Sequence, residues 1–447
     1  MLFVSLAGRI AVAQQDEIDP PAPAGTPRVV VAVIDSGINP YHEFFNRGGE
    51  PYRNASPSAV TPDVLAAFGI DAAHQIELTR TGNFAADYAA DLPRVWNNIR
   101  PGELYWFKGT NIIAVSFAAG TRPILPDTAD DTHGVGTAAA VVRANPEAIV
   151  LFVEGINDEA ERFAFTHPEV DIITTSYGFP GSLPLPGHLN QSFTGVVNMG
   201  KLHFGAADNS PALSPPDGTS GPWWSIGVAG FQEAGGTNDP GSGGRQLVSG
   251  TLPDFVADFS QYLPYCYDCE SGGMSFVSGT SFATPRSAGT TSKILLEARR
   301  ALGHAGGIRF VGPNREAQMV VGADRAYSNW QLRRALESAA YFPRVVDYTL
   351  TTSGTFNLTS VPVLDPVPWA TVGWGVITPD PTRQVVEQTL AHLGIRGSVT
   401  RQKDDAACAF MSAQITARHA YWDFVALESE SNGFGMSGQD PYIYCGQ

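Results

Sequence analysis

Three short segments carry side chains whose types could together do acyl-transfer chemistry. VVVAVIDSGI places Asp35 at the end of an apolar run, DDTHGVGTAAAVV places His133 at the head of a small-residue run, and SGTSFATPRSAG places Ser281 just after a glycine. A serine hydroxyl is a weak nucleophile at neutral pH and needs a base to take its proton during attack. His133 is the candidate base, and Asp35 would orient its ring and stabilise the imidazolium. A histidine in the first turn of a helix meets the positive end of the macrodipole, which favours the neutral ring that a base requires. Ser281, opening its own helix, would leave a backbone N–H free to meet an oxyanion. Each residue alone has a plain structural reading: a strand-end turn former, a buried hydrogen-bonder, a helix cap. Brought together, an acid, a base and a nucleophile are the parts of a Ser-His-Asp hydrolase.

The elements that must position these residues follow from periodicity. RVVVAVID (28–35) is a continuous apolar run closed by a loop, the pattern of a buried parallel strand. NIIAVSFAA, AIVLFVEG, DIITTSYG and KLHFGAAD repeat that pattern. Helical patterns stand between them: HGVGTAAAVVRA, stopped by Asn145-Pro146, then DEAERFAFT, then a stretch near 188–200. SFATPRSAGTTSKILLEARRALG carries Ser281 into a further helix, and WQLRRALESAA is another. This alternation predicts an α/β fold: a doubly wound, mostly parallel sheet flanked by helices, with ligands at the carboxyl ends of the strands. Residues 42–130 form a long irregular region before the histidine.

Asp35-Ser36-Gly37-Ile38 and Gly279 to Pro285 (GTSFATP) resemble the acid and nucleophile motifs of the subtilisin-like serine peptidases, the subtilases, and the chain order Asp, His, Ser is that family's. THGVG at Thr132 to Gly136 is similar to the histidine motif. It departs at Asp131, where glycine is usual, and at Gly134, where a bulkier residue is usual. VDIITTSYG looks like the substrate-binding strand, so Ser176, Tyr177 and Gly178 are expected to pair with the backbone of an extended peptide. FGAADNS looks like the oxyanion strand. Gly205, Ala206, Ala207 and Asp208 would then wall the S1 pocket, where Asp208 could favour a basic P1 residue. Asn209 would be the oxyanion donor, with Asp208 as the alternative register. WSIGVAG and LPDFVA look like the strands that follow, and VGWGVITPDPTRQVVEQTL resembles the closing turn and helix of the domain.

The resemblance implies a peptidase domain over residues 28–390 with an insertion near 46–105, because Asp35 and His133 are further apart than in compact members. Residues 1–13 resemble a remnant signal peptide ending in Ala11-Val12-Ala13, residues 14–27 are a Pro-rich linker, and 391–447 form a C-terminal extension. Residues Gln14 to Thr26 are too few for a folded inhibitory prodomain. From the resemblance of residues 1–13 to a signal peptide, the expected location is secreted or extracytoplasmic. Four cysteines allow three pairings; the plain reading is 266–269 and 408–445, with zinc ligation set aside on spacing and thioredoxin-like chemistry because CYDC does not open a helix after a strand.

The net charge is −16, from 28 basic and 44 acidic residues, which argues against nucleic acid or an anionic membrane as partner. No other stretch is long and apolar enough for a membrane span. The other histidines, His42 included, show no metal spacing. No cofactor is expected to be required, and calcium, common in the family, is left without assigned ligands. The reading is a secreted serine endopeptidase acting on a protein or peptide. The alternatives are a narrow precursor-processing enzyme and an inactive peptide-binding relative. The oligomeric state is open.

Overall fold

The computed structural model describes residues 25–47, 51, 58–178, 186–207, 209, 219–231, 247–248, 253–341, 349–350, 356–357, 373–378, 384–400 and isolated helical positions between 408 and 420. The expected signal remnant, nearly all of the linker, Asp208, Cys445 and most of the C-terminal extension lie outside these residues.

The strands and helices that frame the molecule are β1 (Val30–Asp35), α1 (Pro62–Ala67), β2 (Gln75–Ile76), α2 (Phe84–Asp91), β3 (Tyr105–Phe107), β4 (Ile112–Ser116), α3 (His133–Ala144), β5 (Ile149–Glu154), α4 (Asp158–Thr166), β6 (Ile172–Thr175), α5 (Pro186–Phe193), β7 (Leu202–Ala206), β8 (Ile226–Phe231), β9 (Leu247–Val248), β10 (Phe255–Asp258), β11 (Ser260–Pro264), β12 (Met274–Ser278) and α6 (Thr280–Leu302). Beyond them lie α7 (Asn329–Ala339) and α8 (Val385–His392). The main sheet runs β10-β8-β7-β6-β1-β5-β4-β3-β2, with β9 added antiparallel to β8. All its other pairings are parallel except β3 with β4. This is the doubly wound, mostly parallel architecture read from the sequence.

β1 shows why the sheet is buried on both faces. Val29, Val31 and Val33 enter one apolar core with residues of α3 and α6, while Val30, Ala32 and Ile34 enter the other with residues of α4. Alternate side chains of a strand point to opposite faces, so an unbroken Val/Ile run feeds both layers. In register, Asp35 at the end of β1 lies opposite Glu154 of β5, and Ile34 opposite Thr175 of β6. β5 and β6 are consecutive in the chain yet flank β1 on opposite sides. The carboxyl end of β1 is thus a topological switch point, where open α/β sheets place their ligands.

α3 stops at Asn145 as the Asn-Pro pair predicts, and α4 covers the nine residues of DEAERFAFT. The helix expected near 188–200 is present: α5 ends at Phe193 and continues directly as a π-helical stretch over Thr194–Asn198. Gly195 there has no room for a side chain, because a Cβ would lie 2.7 Å from the Phe165 ring. Within the stretch expected to be an insertion, residues 58–107 form two short helices and the edge strands β2 and β3, which extend the sheet. The segment before Ser281 is a β11–β12 hairpin that the strand patterns did not suggest. Cys266 and Cys269 are linked at its tip; Cys408 is buried in the core. Among the described residues no helix is long and apolar enough to cross a membrane.

One buried ion pair ties α6 to the amino ends of β1 and β6. Arg299 Nη2 and Nη1 reach Asp171 Oδ1 at 2.6 Å and Oδ2 at 2.8 Å, and Asp171 Oδ2 also accepts the Val30 N–H at 2.9 Å. Both side chains are essentially inaccessible. Removing one partner leaves the other charge buried and unpaired. Arg299→Met should therefore lower the unfolding free energy by about 3–5 kcal/mol, read from urea denaturation at pH 7. A change under about 1 kcal/mol would mean that the pair is not a clamp.

Candidate active site

Asp35, His133 and Ser281 come from the end of β1, the first residue of α3 and the first turn of α6. The Asp35 carboxylate is 1% exposed. His133 Nδ1 lies 2.9 Å from Oδ1 and 3.0 Å from Oδ2. The Ser36 N–H donates to Oδ1 at 2.8 Å, and Thr137 Oγ1 donates to Oδ2 at 2.9 Å. With Nδ1 protonated toward the carboxylate, Nε2 is the ring's acceptor nitrogen. Thr137 lies four residues after His133 and so on the same face of α3; that i,i+4 spacing was the available signal for a residue not singled out from the sequence.

Burial alone would raise the Asp35 pKa. The His133 charge and the hydrogen bonds from His133, Ser36 and Thr137 outweigh it, and the carboxyl is held below its usual range. The Asp35 charge raises the His133 pKa above the ordinary value, opposed by burial and helped by the shared hydrogen bond. The helix-dipole expectation of a more readily neutral ring is thus overridden by the neighbouring carboxylate.

The two departures in the histidine motif have local causes. A Cβ on Gly134 would stand 2.3 Å from the Gly37 carbonyl oxygen and 2.8 Å from the Phe152 ring, so only glycine lets α3 sit this close to β1 and β5. Asp131 caps its own turn through Thr128 N and Oγ1, and its carbonyl accepts from Ser36 Oγ at 2.8 Å.

Ser281 reaches the site because α3 packs along α6. The ring of Phe282, the next residue, lies 5.5 Å from the His133 ring. Ser281 Oγ donates to the Ser176 carbonyl at 3.2 Å, and Ser176 Oγ donates to the Ser281 carbonyl at 2.7 Å. Gly279 caps α6 at φ 151°, a conformation open to glycine. Asn209 Oδ1 accepts from Thr280 N at 2.8 Å and from Thr280 Oγ1 at 3.1 Å. Because Thr280 supplies donors, the amide is oriented with its oxygen toward the first residue of α6.

Of the residues expected to bind substrate, Ser176 is buried, Tyr177 half-buried and Gly178 exposed at the end of β6. The Tyr177 hydroxyl turns into the helical layer and donates to Glu161 Oε1 at 2.7 Å, an atom that also meets His188 Nδ1 at 2.9 Å. Gly205, Ala206 and Ala207 continue β7; a Cβ on Gly205 would lie 2.5 Å from the Thr219 carbonyl oxygen. Glu154, beside Asp35, accepts the Ile124 N–H at 2.6 Å, and burial pushes its pKa up to about 7. Among the described residues no group of three His, Cys, Asp or Glu side chains is arranged to hold a metal ion.

The model of the subtilase family matches residues 26–305. The chain belongs to the subtilase family. Members of this family are serine peptidases. No curated protein matches the chain. Two solved structures are similar to this subtilase. The prenylagaramide maturation protease PagA is 13% identical, with 83% of this chain and 95% of that one covered and a TM-score of 0.44. A lanthipeptide protease is 15% identical, with 82% and 87% covered and a TM-score of 0.44.

The Asp35–His133 pair makes a direct electrostatic prediction for this subtilase. His133 should titrate above the ordinary histidine value of about 6.5, and Asp35→Asn should bring its pKa down, as followed by histidine NMR. A wild-type ring titrating below that value would contradict the pairing.

Proposed function

We propose that this subtilase is a secreted serine endopeptidase that cleaves peptide bonds through Asp35, His133 and Ser281. The observation that carries the reading is the buried Asp35 carboxylate hydrogen-bonded to His133 Nδ1, with the Ser281 turn packed against the same imidazole. In the proposed cycle Ser281 Oγ leaves the Ser176 carbonyl and attacks the scissile carbonyl carbon, while His133 Nε2 takes its proton. The imidazolium, stabilised by Asp35, passes that proton to the leaving amine, and an acyl-enzyme ester remains. Water then attacks the ester with His133 again as base, releasing the acid and restoring the serine. The Ser281 N–H, in the first turn of α6 where amides lack a helical acceptor, is with the Asn209 amide NH₂ the proposed donor pair for the tetrahedral oxyanion.

The proposed substrate is an extended peptide laid along Ser176 to Gly178, with its P1 side chain toward Gly205 to Ala207. The proposed chemistry uses side chains, the Ser281 backbone N–H and water. Export is proposed from the sequence of residues 1–13 and from the cysteine pairing at the hairpin tip, since disulfides persist in oxidising compartments.

A fluorophosphonate should label the protein at Ser281, and Ser281→Ala should not react. Labelling at a different serine would exclude the assignment. The value of kcat/KM should rise with pH as neutral His133 forms, with its midpoint above about 6.5 because the folded-state pKa is raised. A flat profile from pH 5 to 9 would exclude a histidine base.

Asn209→Ala should lower kcat about 100- to 1,000-fold with little change in KM, because the amide acts on charge that develops in the transition state. An unchanged kcat would move the oxyanion role to another residue.

A further inference from the structure

The first turn of α6 is built around a proline. Pro285 is the sixth residue of the helix and has no N–H, so the Ser281 carbonyl four residues earlier receives no helical hydrogen bond. Side chains serve the carbonyls of this turn. Thr284 Oγ1 donates to Thr280 O at 2.8 Å, Gln261 Nε2 to Phe282 O at 2.9 Å, and Ser287 Oγ to Ala283 O at 2.9 Å. The Ser281 carbonyl is served from outside the helix, by Ser176 Oγ at 2.7 Å, across 105 residues of sequence. Ser176 is 6% exposed, so water is a poor substitute for that hydroxyl.

We propose that Ser176 is a positioning residue for the nucleophile: its hydroxyl holds the Ser281 carbonyl that Pro285 leaves without an amide donor, and so fixes the backbone from which Ser281 Oγ is aimed. The proposal rests on the reading of Ser281 as nucleophile. It gives Ser176 a role in the rate step, separate from the backbone pairing expected of Ser176 to Gly178. The same two residues are joined a second time, by Ser281 Oγ on the Ser176 carbonyl at 3.2 Å. The end of β6 and the head of α6 are therefore held as one unit, and rotation of the Ser281 side chain toward His133 leaves the backbone bond in place. Attack depends on reacting atoms held within a few tenths of an ångström, so a loosened carbonyl acts on the rate more than on binding.

The test is a double-mutant cycle on the full chain, with kcat counted per fluorophosphonate-titrated site so that misfolded protein does not enter. Ser176→Ala should lower kcat about ten-fold and leave KM within about two-fold. Pro285→Ala restores an amide donor at 285 that can serve the Ser281 carbonyl. In that background Ser176→Ala should cost less than about three-fold. An equal loss in both backgrounds would overturn the proposal, because the hydroxyl would then act elsewhere than on that carbonyl. A rise in KM at constant kcat would also overturn it and make Ser176 a substrate-binding side chain. A lower melting temperature with unchanged kcat per titrated site would reduce it to a structural contact and overturn it. Absence of label on wild-type Ser281 would instead remove the nucleophile reading itself, a result distinct from all of these.

Discussion

Burying the Asp35 carboxylate at the end of the central strand is the constraint from which the site follows. A carboxylate with 1% exposure is tolerable only if donors surround it. Those donors come from the residue after the strand and from two positions one turn apart on α3. Satisfying Asp35 therefore fixes the distance and rotation of α3 against β1. Glycine at 134 permits the approach, and the packing of α3 along α6 brings the Ser281 turn to the same imidazole. The geometry of the candidate site and the electrostatic solution to a buried charge are one arrangement.

The local parts of this arrangement were legible in the residues, because they depend on short-range rules. A Val/Ile run ending in Asp-Ser-Gly reads as a buried strand with its acid at the tip, and DEAERFAFT reads as an amphipathic helix. What stayed hidden depends on contacts with no local signature. Asp171 and Arg299 are 128 residues apart, and neither position announces a buried ion pair. The β11–β12 hairpin mixes buried and exposed apolar residues: Tyr262 and Phe276 face outward against each other. Its alternation therefore does not separate a core face from a wet one. The helix near 188–200 was legible, but its change to π geometry over Thr194–Asn198, where Gly195 crowds Phe165, is a tertiary fact. At the site, Thr137 could have been read from its spacing to His133. The clasp of Ser176 on Ser281 could not, although Pro285 marked the carbonyl that needed it.

Electrostatics at the switch point is finely divided between neighbours. Asp35 and Glu154 face each other in register at the ends of β1 and β5, yet their environments push them in opposite directions. Asp35, surrounded by donors and a histidine, is held ionised. Burial, with a smaller contribution from the charges of Asp127 and Asp131, pushes the Glu154 pKa up to about 7 despite the hydrogen bond from the Ile124 N–H. Two carboxyl groups on adjacent strands thus have their pKa values pushed apart by their surroundings, and the one bonded to His133 is the one held low.

The bonds that join the separate elements of the site span great lengths of chain. Asp35 meets His133 across 98 residues and Thr137 across 102, and Ser176 meets Ser281 across 105. Contacts of such separation form late, because the loops they close carry a large entropic cost before any contact compensates it. A chain emerging from the ribosome holds the acid long before the base, and the base long before the nucleophile. The centre is thus incomplete in every partly folded form that lacks α6. The three side chains meet only in the finished sheet, with α6 packed along α3.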